Sequence, residues 1–378
     1  MNFSILLADE NIWTVVLYMI SGFFISKLCQ KGSRINEIRG GNLACWNRYY
    51  IMAWIWLILI ATVRNATVGS DMATFYADYY KGKTTLQYDW GRFFSFHQYE
   101  PGFQLWFFLL RKVSANYRFM YLCTYTFVAY AYISFIKKIF RSQDGIIFIQ
   151  IFFFYFTGNM SGVRAAMGMS FVILSLVALN EYKYAKAIIL TLFGMMFHYT
   201  MLYNFYIIIC YWFFNNINII HKKFWWAVGF LISMGVSILS LSLVQRILAG
   251  TKYSFYFVDI SELSFMGSSI YVILAIACIY NYYQVKDREE EAKTALLVSM
   301  SFLLTYPITF LLGAYRIPFY YVLPRLKVWS KLQYILEEKF TQQSRFAIKV
   351  SMQLIIWLYL LLRYSKSIRD GHFAYHIF

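Results

Sequence analysis

The sequence predicts an all-α polytopic membrane protein of about 12 transmembrane helices, and three observations carry that fold class. First, 60% of the 378 residues are hydrophobic, mean hydropathy is +0.50, and 14% are charged. A soluble domain carries about 25% charged residues. Second, the apolar residues gather in blocks near the roughly 17–25 residues that cross a bilayer. Third, the lysines and arginines fall between those blocks, as expected of segments that set orientation at a membrane surface.

In chain order, spans are expected over 11–28, 47–63, 117–136, 145–160, 162–180, 184–198, 199–214, 224–248, 267–284, 294–313, 315–334 and 346–363. Asp9 and Glu10 precede the first and Lys27 and Lys31 follow it. A cleaved signal peptide has the opposite polarity, so an uncleaved span with an outward N-terminus is expected. Segment 101–113 is apolar but too short to cross, and it is expected as a re-entrant or interfacial helix. Spans 184–198 and 199–214 have almost no linker between them.

With 101–113 not crossing, the inner loops are Lys27–Arg48, Lys137–Asp144, Glu181–Lys186, Asn215–Lys223, Val285–Lys293 and Arg325–Lys349. They hold more than half of the 35 Lys and Arg residues, in accord with the positive-inside rule. A true crossing at 101–113 would reverse everything after it. Both termini then face outward. Residues 64–100 and 249–266 and the tail from Tyr364 face outward. No internal repeat or second soluble domain interrupts the chain, so residues 1–378 are expected as one membrane-embedded body. Loops 64–100 and 249–266 contribute to its site.

The formal charge of +17 fits anionic lipid heads, and no basic helix stands apart from the spans to serve nucleic acid. The five cysteines, Cys29, Cys45, Cys123, Cys210 and Cys278, form no CxxC pair, so neither a disulfide framework nor a zinc site follows. Walker A, GxSxG, HExxH and DxD patterns are absent. No cofactor is expected. His372 and His376 lie four apart without an acidic partner, and no metal is assigned to them. Asp287 and Glu289 to Glu291 read as a solvated inner loop beside Lys286, Arg288 and Lys293.

Six polar residues fall at the outer ends of spans: Arg64, Asp71, Glu100, Arg164, His198 and Arg316. Charges beside apolar spans are costly, so their recurrence on one side points to a site for an anionic, water-facing substrate. Arg64 can bind phosphate through its planar fork or anchor a helix at the interface. Asp71 can accept a sugar hydroxyl or its proton, or serve as a turn residue. Glu100 precedes the helix-opening Pro101, where a carboxylate favours the helix dipole or acts as a base. Gly162, Ala166 and Ser170 recur every four residues and suit close helix packing, which leaves Arg164 in the first turn unexplained except by an anion. His198 can donate to phosphate, relay a proton or simply sit at the interface. Tyr320 follows Arg316 closely and can stack on a sugar, although tyrosine is also an ordinary interfacial residue.

The ordered set Arg64…Val68-Gly69-x-Asp71…Tyr76, Glu100-x-Gly102-Phe103, Gly162-Val163-Arg164, Phe197-His198-x-Thr200 and Arg316…Tyr320 resembles the EpsG family. These are Wzy-like polymerases of bacterial exopolysaccharide, capsule and O-antigen. The chain departs from the family pattern at Ala165, where many members carry Gln after the Arg. The resemblance implies a polymerase of GT-C-like architecture in the bacterial inner membrane, with its termini and its active site facing the periplasm. Its donor and acceptor would be oligosaccharide repeat units on undecaprenyl pyrophosphate, with a flippase and a chain-length regulator as partners.

On that reading Arg164, Glu100, Asp71 and His198 are the expected catalytic residues. Arg64, Arg316, Tyr76 and Tyr320 are expected to bind substrate. Two other classes would also hold an anionic substrate among spans. One is a lipid-linked oligosaccharide flippase, which needs polar residues on both faces of a pathway. The other is a membrane O-acetyltransferase, which needs an activated inner His, and His221 has no acidic neighbour in sequence.

Overall fold

The computed structural model describes residues 9–39, 45–65, 68–69, 71–72, 76–89, 99–216, 289–303 and 320–369. Among these residues the chain is helical and contains no strand. The helices are α1 (Asp9–Ile38), α2 (Arg48–Val63), α3 (Ala77–Gly82), α4 (Pro101–Val113), α5 (Tyr117–Ile139), α6 (Ile149–Asn159), α7 (Val163–Asn180), α8 (Tyr184–Phe197), α9 (Asn204–Asn216), α10 (Glu289–Leu303), α11 (Val322–Glu338) and α12 (Gln342–Arg369). Short 3₁₀ turns, Ile146–Phe148 and Tyr199–Tyr203, lead into α6 and α9. The expected spans at 224–248 and 267–284, the loop 249–266 and Arg316 lie outside the described residues.

Among the described residues, four stretches are long and apolar enough to cross a membrane: Ile12–Ile38, Tyr117–Ile139, Val163–Asn180 and Gln342–Ser367. Arg48–Val63, Ile146–Asn159 and Tyr184–Phe197 are apolar but shorter. Their surfaces invert the pattern of a soluble protein. Ile51, Ile55 and Leu59 recur every four residues on the outside of α2, and α12 exposes Leu354, Ile355, Leu358, Leu361 and Leu362. Meanwhile Ser33, Asn36, Asn47, Gln150, Ser175, Thr191 and Asn204 are buried. Apolar outside and hydrogen-bonded polar inside is the arrangement that lipid favours.

The chain divides into two compact units. Unit 1 comprises Met1–Leu86, Gly102–Ser170 and Trp329–Phe378; unit 2 comprises Gln87–Pro101 and Phe171–Val328. In unit 1, α2 packs on α5, and α1 packs on α2, α6 and α12. The sequence reading ended the first span at residue 28, but α1 continues ten residues further, to Ile38. Lys27, Lys31 and Arg34 line one face of that extension, while Leu28, Cys29, Ser33 and Asn36 are buried on the other. Asn47 caps α2 by accepting from the N–H groups of Tyr49 and Tyr50, and its amide donates to Gly32 O and Asn36 Oδ1, both at 2.8 Å. Ser33 and Tyr50 share a hydroxyl contact of 2.8 Å.

Helix α4 has 13 residues, about 20 Å at 1.5 Å per residue, well short of a hydrocarbon core of about 30 Å. Its indole Trp106 donates to Thr124 Oγ1 at 3.0 Å, so α4 lies along the first turns of α5. Tyr76, Tyr79 and Tyr80 surround Phe103 and Phe107 and tie α3 to α4.

In unit 2, α8 and α9 run antiparallel. Asn204 reaches Thr191, and Tyr211 lies against Tyr184. Residues Glu289 to Glu291 belong to α10, not to a loop as the sequence suggested.

Candidate functional site

Arg64 ends α2 in extended backbone, and its side chain has no solvent exposure. The guanidinium lies over the rings of Tyr121 and Tyr125, 4.3 and 4.9 Å from their centroids. Tyr121 and Tyr125 are four apart on α5, so both project to one side of that helix. Arg64 Nη2 donates to the Tyr125 hydroxyl at 3.1 Å, while Nε and Nη1 have no hydrogen-bond partner among the described residues. No carboxylate among those residues pairs with this cation.

The charge is met in another way. The Tyr125 hydroxyl donates to the carbonyl oxygens of Asn159 and Met160, at 3.1 and 3.2 Å. These carbonyls belong to the C-terminal turn of α6, where orphan acceptors and the negative end of the helix dipole collect. A cation behind Tyr125 therefore suits that end. Asn159 also donates from Nδ2 to Tyr132 OH at 2.9 Å. The turn between α6 and α7 is thus held from below by Arg64, Tyr125 and Tyr132.

The same turn is held from the side by the segment after α2. Gly69 has φ +97, and a Cβ there would stand 2.8 Å from the Ser161 Cα. Only glycine combines that backbone angle with so close an approach. Two residues on, the backbone N–H of Asp71 donates to Ser161 Oγ at 3.2 Å. Arg164 follows Ser161 by three residues and stands half-buried in the first turn of α7. The structure therefore brings Arg64, Asp71 and Arg164 together around one turn, although Arg64 lies behind it and not on its surface.

The small-residue stripe of α7 is used only in part. Ala166 and Ser170 are fully buried, and the Ser170 hydroxyl donates to Ala166 O at 2.8 Å. Gly162 is half-exposed, and among the described residues a Cβ there would meet only Ala165, at 3.8 Å. Close helix packing does not explain Gly162; it lies one residue before the helix, and its carbonyl accepts from Ala166 N–H.

Tyr76 is buried in the aromatic group with Phe103 and Phe107, 5.4 and 6.4 Å away. Lys83 donates to Gln104 Oε1 at 2.8 Å, and partial burial lowers the pKa of its ammonium. The Tyr80 hydroxyl donates to Ser114 O, and burial raises its pKa against the pull of Arg111.

In unit 2, His198 sits between α8 and the 3₁₀ turn, in extended backbone with φ −157 and ψ 115. It is 3% exposed. Its Nδ1 lies 2.8 Å from Thr200 Oγ1, which in turn lies 2.5 Å from Tyr320 OH. Tyr320 is 2% exposed. The neighbouring Tyr321 donates to Asn204 Oδ1 at 3.0 Å. Asn204 donates from Nδ2 to Ser175 Oγ and Thr191 Oγ1, at 2.9 and 2.8 Å, which ties α7, α8 and α9 into one polar network. Tyr88 and Tyr199 share a hydroxyl contact of 3.0 Å, bringing the segment before α4 to the His198 turn. Glu100, just ahead of Pro101, is fully buried in this unit.

Tyr121, Tyr125, Ser161, Thr200 and Asn204 were not singled out as site residues from sequence. The i, i+4 tyrosine pair on α5 and the Thr two places after His198 were the available signals. Among the described residues, no three His, Cys, Asp or Glu side chains converge to hold a metal ion.

A family model described as EpsG family matches residues 47–376, most of the chain. No curated protein and no solved structure gives a significant match.

Proposed function

Because this chain belongs to the EpsG family of Wzy-like polymerases, we propose that it is a membrane glycosyltransferase that polymerises polysaccharide repeat units. In this reading it moves a glycan from undecaprenyl pyrophosphate onto a lipid-linked repeat unit at the periplasmic face of the bacterial inner membrane. A hydroxyl of the acceptor attacks the anomeric carbon of the donor. The bond from that carbon to the pyrophosphate oxygen breaks, and the hydroxyl proton passes to a carboxylate.

The observation that carries the proposal is the turn shared by Asp71 and Arg164, braced from within by the fully buried Arg64. Arg164 supplies a planar cation for the leaving pyrophosphate, and Arg316 is assigned the same work. The orientation of the α7 dipole adds to the attraction for anions. Asp71 or Glu100 takes the proton from the acceptor hydroxyl. His198 donates to phosphate or moves a proton. Arg64 acts one layer behind, keeping the turn in place, Tyr76 is packed with Phe103 and Phe107 in the same unit, and Tyr320 is packed against Thr200 in the other.

The test is the glycan profile of a deletion strain, with and without the gene returned. A polymerase defect leaves a single repeat unit on the lipid acceptor and restores a ladder on complementation. No repeat at all would favour a flippase, and full-length but unmodified chains would favour an O-acetyltransferase. Either result overturns the proposal.

A further inference from the structure

Helices α1 and α2 run antiparallel and meet closely at one end. The Asn47 amide donates to Gly32 O, and Tyr50 lies so near Gly32 that a Cβ there would stand 2.9 Å from its ring. That contact fixes the residues on either side of it. Lys31 precedes Gly32, Arg48 follows Asn47, and both side chains are exposed. They converge on one ring: Lys31 Nζ lies 5.9 Å and the Arg48 guanidinium carbon 5.0 Å from the Tyr49 centroid. Arg48 Nη2 also donates to the Tyr49 hydroxyl at 3.2 Å. One turn earlier on α1 the exposed Lys27 lies 5.5 Å from the Phe23 ring.

Three cations thus crowd one end of this helix pair, and among the described residues no carboxylate pairs with them. Glu37, the nearest acid along α1, accepts from the N–H and hydroxyl of Ser142 instead. An aromatic face attracts each cation but carries no net charge, so the like charges around Tyr49 stay uncompensated. An anion placed between them would relieve that repulsion. The surface changes character along the helices. Phe24 stands seven residues before Lys31 and Trp56 seven after Tyr49, and the two rings meet edge to face at 5.2 Å. Seven residues are almost two turns, so this ring pair shares the face of the cations and lies about 10 Å further along it. Ile20 on α1 and Met52, Ile55 and Leu59 on α2 are exposed beside it. A soluble anion would use the cations alone, and a neutral lipid the apolar part alone. A molecule with a negative head and an apolar tail uses both.

We propose that this face of α1 and α2 is a binding site for one anionic phospholipid. Lys31, Arg48 and Lys27 hold its phosphate, and an acyl chain lies along Phe24 and Trp56. The site is at the opposite end of α2 from Arg64, 16 residues of helix or about 24 Å away. It uses none of the residues assigned to glycan transfer, and it stands or falls independently of that reading.

Native mass spectrometry of the full chain, titrated in detergent with phosphatidylglycerol or phosphatidylcholine, reads the affinity of the first bound lipid. Phosphatidylglycerol is expected to bind the wild type more tightly than phosphatidylcholine. A cation beside an anionic lipid is worth about fivefold in affinity. Lys31→Gln combined with Arg48→Gln should therefore weaken phosphatidylglycerol by roughly 25-fold and leave phosphatidylcholine unchanged. Both side chains are exposed, so the thermal unfolding midpoint should not move. Lys366→Gln, an equal kind of loss at an exposed position of α12, should have little effect. Tyr49→Leu keeps every charge but frees the two cations from their ring, and should weaken phosphatidylglycerol severalfold. Equal affinity of the wild type for both lipids would mean annular lipid only and overturns the proposal. So does a double variant that loses no more than Lys366→Gln. Displacement of bound phosphatidylglycerol by free glycerol phosphate at equal concentration would assign the cations to a soluble anion, and overturns it as well.

Discussion

Arg164 opens α7 half-buried, three residues after a serine that is bonded to the backbone of Asp71. A guanidinium held there by a braced turn can meet a pyrophosphate in a fixed geometry, and preorganised charge of this kind is worth on the order of 100-fold or more in rate. Arg164→Ala is therefore expected to collapse long chains to single repeats at normal protein abundance. Arg164→Lys should rescue poorly, because a point charge lacks the planar fork. A normal ladder from well-expressed Arg164→Ala protein would remove this residue from the mechanism. At the same scale, Arg64 shows how far a residue's type can mislead about its place. The residue type was read as a phosphate ligand or interfacial anchor, but the side chain is closed off by two tyrosine faces.

At the scale of elements, the hydroxyl of Tyr125 links Arg64 to the end of α6. Tyr125→Phe keeps the ring beneath the guanidinium and removes that link. It leaves an Arg N–H and two carbonyls without their partner, a loss of about 1–3 kcal/mol for buried polar groups. The thermal unfolding midpoint of the detergent-purified protein should fall by several degrees, and the ladder should shorten. An unchanged midpoint with an unchanged ladder would mean that the turn is held by Gly69 and Ser161 alone. Helices α8 and α9 teach a related lesson. The sequence showed two apolar segments with no linker, and the structure resolves them as a hairpin whose tip is His198. The extended conformation at His198 ends α8, and the 3₁₀ turn Tyr199–Tyr203 carries the chain into α9.

At the scale of the molecule, unit 1 has two chemically different ends. At one, Ser33 meets Tyr50 and Phe140 O, and Glu37 meets Ser142, gathering Lys27, Lys31, Arg34, Arg48 and Arg141 nearby. At the other lie Arg64, Tyr121, Tyr125 and the end of α6, with Lys81, Arg111 and Arg118 close to the start of α5. Cations thus occupy both ends, so the charge difference across the unit is less steep than the loop count implied. Labelling decides orientation. In a cysteine-free background, Lys81→Cys should react with a membrane-impermeant maleimide in intact spheroplasts. Arg34→Cys should react only after permeabilisation. The reverse pattern would turn the proposed site toward the cytoplasm and sink the periplasmic reading.

The amino-acid sequence by itself determined the membrane class, the family and most helix bounds in the described residues. Those depend on short-range terms: apolar run length, caps such as Asn47 and Asn116, and breakers such as Pro101 and Gly145. It also marked Arg64, Asp71, Glu100, Arg164 and His198 as polar residues needing an explanation. Only the tertiary structure decided that Arg64 lies under a turn, that Tyr320 addresses His198 through Thr200, and that these residues divide between two compact units. The reason is physical. Whether a charged side chain faces water, lipid or other side chains depends on neighbours distant in sequence, and local propensity contains no information about them.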